Sequence, residues 1–282
     1  MESQPDIWVA THAALKFGQY VAILAACGVA LSVLARVVEA EGRKRSLRLA
    51  AMLAVGGALV TCARFGLSVA QMGDPSMIDM VWRFQAGTII AVALGAAGLV
   101  GAAALGPGRS QPVFAGMGAL ALAASFGLTG HTQGLEEPGP WPFVVALHVA
   151  LASFWAGSVI VLRPSRGHAD FVLANRAEAF GRVAMAAAPL LIGLGGLLAF
   201  RLSGGLNALI GSNYGLALLA KSLAVAGALA IGAHNKLAVT PMLRTDPVRG
   251  RAALKRALWL DAFLFAAALF AIAAATTMFG PA

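Results

Sequence analysis

His131 and His148 bracket a short acidic, proline-rich stretch, TGHTQGLEEPGPWPFVVALH (129–148), and long apolar runs lie on either side of it. Neutral imidazole ligates copper, zinc, iron and haem alike, so two histidines at one apolar mouth, beneath Glu136 and Glu137, are candidate metal ligands. Trp155 follows His148 at i+7 and shares its helix face. A second element, QMGDPSMIDM (71–80), offers Met72, Met77 and Met80 with Asp74 and Asp79. Thioethers prefer Cu(I), and carboxylates raise the local concentration of any cation. His12 adds an imidazole near the start of the chain, with Gln19 on the same face. Each residue also has a plainer reading. A lone buried histidine serves as a hydrogen-bonding strut, and single methionines pack or anchor in lipid.

The remaining soft ligands are less suggestive. Cys27 and Cys62 fall in different apolar runs at depths differing by roughly 15 Å, too far apart for a disulfide. They read as packing residues, with thiolate copper ligation as the alternative. His168 sits in a basic loop, while His234, beside Asn235 and Lys236, is either an interfacial strut or an exit-side ligand.

These residues must be positioned by helices that cross a membrane. The chain is 59% hydrophobic and 12% charged, against about 25% charged in a soluble domain. Its apolar stretches repeatedly reach the length of a span. The expected fold is all-α, a single transmembrane bundle of about eight helices at 8–35, 48–71, 82–105, 112–131, 141–162, 179–201, 214–236 and 254–277. The 33 glycines suit close helix approach in lipid.

Of 21 Lys and Arg, 16 fall in the first, third, fifth and seventh connections or beside them. The other face holds only Arg83 and Arg201, with Glu2, Asp6, Asp74, Asp79, Glu136 and Glu137. The positive-inside rule places both termini and the His131 loop outside the cytoplasm. The start, MESQPDIW, lacks the basic region of a signal peptide, so no cleaved leader is expected. The net charge of +9 is thus an orientation signal facing anionic lipid, and no nucleic-acid motif accompanies it.

Lys16, Arg64 and Lys221 remain in the outer halves of their spans, and Asp261 lies roughly 10 Å into the last helix. Intramembrane charges are costly and mark functional candidates, although Lys16 and Arg64 could snorkel to headgroups. Asp261 could instead neutralise Lys236 or fix the last two helices together. No Walker or Rossmann glycine pattern and no nucleophile–base constellation stands out, so the expectation is a protein that is not an enzyme.

Several pieces are similar to one family: GLTGH (127–131), ALHVALASFWAGSVIVL (146–162), NYGLALLAKSLAVAGALAIGAHNKLAVTPML (213–243) and the closing ATTM (275–278), with Asp261 at a commonly acidic position. In these the chain resembles the copper resistance D (CopD) family of membrane copper proteins. Two departures stand out. Trp155 is followed by Ala156-Gly157-Ser158 where the family usually has WxGG, and Lys16-Phe17-Gly18-Gln19 places glutamine where it often has histidine.

The resemblance implies a multi-pass protein of the bacterial inner membrane that handles copper, Cu(I) rather than Cu(II). It carries over to His131 and His148 directly, and to Lys221, Asn235 and Asp261 as polar positions. The leading expectation is uptake from the outer side toward the cytoplasm, with a periplasmic copper chaperone as a conceivable partner beside the copper ion and the bilayer. The alternatives are a copper-binding chaperone or assembly factor without transport and, behind it, a haem-binding redox protein.

Overall fold

In a bilayer every backbone N–H and C=O must find its partner within the chain, which leaves long apolar runs only the helix. The computed structural model describes residues 4–128, 139–164, 169–202, 210 and 212–278; His131, Glu136, Glu137 and His168 lie outside the described residues. Among those described there is no strand. The order is α1 (Gln4–Leu34), α2 (Ala40–Met72), a 3-10 turn (Pro75–Met77), α3 (Ile78–Ala104), α4 (Ser110–Ala124), α5 (Trp141–Val161), α6 (Asp170–Leu202), α7 (Asn213–His234), a π turn (Asn235–Val239), α8 (Thr240–Thr245) and α9 (Pro247–Met278). Among the described residues, seven helical stretches are long and apolar enough to cross a membrane. The chain is a polytopic helical membrane bundle.

α1 is the centre of the packing. It contacts α2, α4, α5 and α9, while α3 closes against α2 and α4. Cys27, Val29 and Ala30 of α1 are completely buried, with Leu47, Val92, Leu99 and Leu122 around them. The α1–α5 seam is close enough to require glycine. A Cβ on Gly157 would overlap the backbone of Gly28, and one on Gly28 would overlap the Ser153 carbonyl. The other side is looser, since α7 rests mainly on α9 and meets α6 sparsely.

The helices depart from the sequence expectation where hydropathy stops reporting on backbone. α2 begins at Ala40 rather than 48. Its first turns, AEGRKRSLR, are polar but rich in good helix formers, so the helix continues past the apolar span. α6 and α9 likewise start earlier than expected, at Asp170 and Pro247. α4 ends at Ala124 rather than reaching 131. There the chain tightens, with the Gly127 N–H bonding the Ala124 carbonyl at 2.9 Å, and Gly127 abuts the Pro142 backbone so closely that a Cβ would overlap its carbonyl. At 15 residues, α4 is about 22 Å long, short of the roughly 30 Å hydrocarbon core.

The expected loop 237–253 is largely helix instead. Pro247 opens α9, where a missing N–H costs nothing, and Pro241 follows on the π turn within a helical run that continues unbroken to Thr245. Between α7 and α8 the π turn keeps the backbone bonded. The carbonyl of Asn235 receives both the Thr240 N–H and, at 2.9 Å, the Thr240 hydroxyl.

Candidate metal site and its polar surroundings

His148 stands seven residues into α5, half-buried, against α6. A Cβ on Gly195 would lie 3.2 Å from its Cε1, so glycine at that position lets the ring seat against the α6 backbone. The Leu191 backbone is also within reach, but Nδ1 is buried and makes no hydrogen bond among the described residues. The charge of Lys221 on α7 acts on this imidazole. The two polar groups expected to matter in the spans of α5 and α7 are therefore neighbours.

Trp155 lies two turns further along α5, buried, with its ring edge-on to Phe180 of α6 at 5.8 Å. It also fills a notch on α7: a Cβ on Gly232 would overlap Cζ2 of the indole. Trp155 thus packs between α6 and α7, two turns along α5 from His148. Asp261 is 2% exposed, and its Oδ1, like Oδ1 of Asn235, has no hydrogen-bond partner among the described residues. Lys236 donates to the Gly181 carbonyl at 3.5 Å rather than to Asp261.

The other expected ligands are elsewhere. Nε2 of His12 donates to Oε1 of Gln71 at 2.6 Å, tying α1 to the end of α2. Met72, Met77 and Met80 are exposed beyond that end. Gly73 in the left-handed conformation (φ 65°) stops α2 there. Asp74 accepts the Ser76 N–H at 2.9 Å, which holds its carboxyl below the usual carboxylate range and keeps it anionic at neutral pH. No group of three or more His, Cys, Asp or Glu that could hold a metal occurs among the described residues. Both cysteines are free, Cys27 buried and Cys62 exposed.

Gln19 is a connector. It donates to Thr61 at 2.9 Å and accepts from Arg64, so its amide is used in both directions. Arg64 therefore turns inward instead of snorkelling, and Lys16 reaches the Thr276 carbonyl of α9 at 3.4 Å. Polar residues in the same halves of successive spans were the sequence signal for this pairing. Arg176 gave no such signal. It was one of many basic residues at its end of the bundle, yet it is buried and bonds both carboxylate oxygens of Glu39, 137 positions away, at 2.6 to 3.0 Å. Its Nη1 also donates to the Val161 carbonyl at 3.1 Å.

Residues 174–275 match the family model for copper resistance protein D. Over that segment the chain is similar to the copper resistance D family. The family match takes in most of α6, all of α7 and α8, and most of α9, and so contains Lys221, Gly232, Asn235 and Asp261. His12, Gln19, the methionine loop, His131, His148 and Trp155 precede it. No curated protein and no solved structure matches the chain significantly. The likeness covers the second half of the bundle and ties that half to a family named for copper resistance. The packing shows how the family segment meets the preceding helices: His148 and Trp155 of α5 face residues of α6 and α7 within it.

Proposed function

We propose that the chain takes copper from the side of the methionine loop toward the basic end of the bundle, with His148 as the ligand inside the membrane. The single observation supporting this reading is the buried Nδ1 of His148, which makes no hydrogen bond of regular geometry among the described residues although the Leu191 backbone lies near the ring. A polar atom withdrawn from water without a partner is costly, and a metal–nitrogen bond would satisfy it. The chemistry fits Cu(I), which accepts imidazole and thioether ligands. Met72, Met77, Met80, His12 and His131 would collect the ion on the outer side, and Asn235 and Asp261 would receive it beyond Trp155. The basic end then faces the cytoplasm, as the positive-inside rule requires.

One observation favours a second reading, in which the chain binds copper and presents it to a partner without passing it through. Lys221 acts on His148, and a fixed positive charge beside the ligand opposes the onward passage of a cation. Flux of copper into proteoliposomes of the purified protein separates the two readings, because a presenting protein binds copper without flux. Within the transport reading, His148→Ala is expected to reduce cellular copper accumulation at least tenfold at equal membrane abundance. Unchanged accumulation in that variant would remove His148 from the path.

A further inference from the structure

At the basic end, α6 and the π turn with α8 enclose a groove of about 390 Å³. Three cations line it, Arg182, Lys236 and Arg244, with one carboxylate, Glu178. The carboxylate is taken. Arg244 grips Glu178 at 2.7 and 3.0 Å and uses its remaining reach on Asn175 at 3.1 Å. Lys236 has only the Gly181 carbonyl at 3.5 Å, and Arg182 is exposed with no ion pair among the described residues. Arg182 also faces the charge of Glu178, but with three cations and one carboxylate the lining keeps an excess of two positive charges.

We propose that this groove binds a phosphate group. Guanidinium and ammonium donors converging on one concavity match phosphate oxygens in charge and geometry. A cation such as copper is repelled there, so the groove is no part of a metal path. Basic pockets between helices on the cytoplasmic side suit lipid headgroups. Leu237, next in sequence to Lys236, and Met185, three residues after Arg182 on α6, are both exposed and would offer apolar surface to the acyl chains of a bound headgroup. A bound phosphate would bridge α6 to the π turn, which otherwise touch little.

The test uses the full chain, purified and delipidated in a neutral detergent. One arm measures binding to vesicles of phosphatidylcholine with and without phosphatidylglycerol. The other measures the thermal shift given by inorganic phosphate against chloride at equal ionic strength. Binding in the first arm alone assigns the phosphate to lipid, and binding in the second assigns it to the free anion; both support the site. Arg182→Gln with Lys236→Gln is expected to weaken binding about thirtyfold, about fivefold for each cation. Arg109→Gln, an exposed basic residue away from the groove, should change nothing. If the double variant fails to fold, Arg182→Gln alone still reads the site, because that exposed side chain holds no structural bond among the described residues. No binding in either arm, or equal losses for Arg109→Gln and the groove variants, overturns the proposal.

Discussion

Replacing Arg176 by methionine would leave Glu39 facing a hydrocarbon side chain across the inner seam of the bundle. The arginine side chain is 9% exposed and the glutamate 28%. Breaking a fully buried pair by removing one partner costs about 3–5 kcal/mol. Water reaches Glu39 in part, which places this case near the bottom of that range, at about 3 kcal/mol. Glu39→Met should cost a similar amount, because it leaves the more deeply buried guanidinium alone. Removing both charges together changes the balance. The double variant leaves no unpaired charge and gives up the bond to the Val161 carbonyl, so it should lie within about 1 kcal/mol of the parent. Unfolding by sodium dodecyl sulfate titration in mixed micelles, followed by far-ultraviolet circular dichroism, measures all four proteins. Single variants within 0.5 kcal/mol of the parent, or a double variant as destabilised as the two singles together, would refute the argument.

Two further perturbations have predictable signs. Gly157→Ala must separate α1 from α5 and should destabilise by at least about 2 kcal/mol, whereas Gly18→Ala has nothing within 4 Å of the new methyl and should stabilise by about 0.5–1 kcal/mol; the same titration reads both, and equal signs would contradict the packing of that seam. Gln19→Leu strands Arg64 and Thr61 and should cost about 1–3 kcal/mol, while Gln19→Glu, which places a carboxylate between Arg64 and Lys16, should be at least as stable as the parent.

What could be read from sequence follows the physics of each feature. Seven of the eight expected runs are helices long and apolar enough to cross among the described residues, because lipid penalises any other backbone state, whereas the run expected at 112–131 supplies only the 15-residue α4. The helix ends at Ala40, Asp170 and Pro247 were not legible, since hydropathy reports where a helix is in lipid and not where it stops. Of the site, His148, Lys221 and Trp155 were legible as polar or aromatic residues in spans where little else is. Their mutual arrangement was not, because α5, α6 and α7 meet through Gly195 and Gly232, residues that show only as small. Arg176 and Glu39 pair across 137 positions, and nothing local to either residue announces the other.

The π turn has a consequence of angular phase. Five residues of π geometry insert one residue into the helical count, and one residue corresponds to about 100° of rotation about the axis. α8 is clamped by buried Leu243, by the Arg244–Glu178 pair and by Gly250, whose place against the Leu243 backbone leaves no room for a Cβ. With that end held, the inserted residue sets the azimuth of the whole of α7. Gly232 meets Trp155, and Lys221 meets His148, only at the phase the bulge supplies. Deleting one residue from 235–239 would turn that entire face by about 100° while leaving the composition and hydropathy of the span almost unchanged. The alignment of the intramembrane polar residues is therefore stored at the membrane edge, in a single surplus residue.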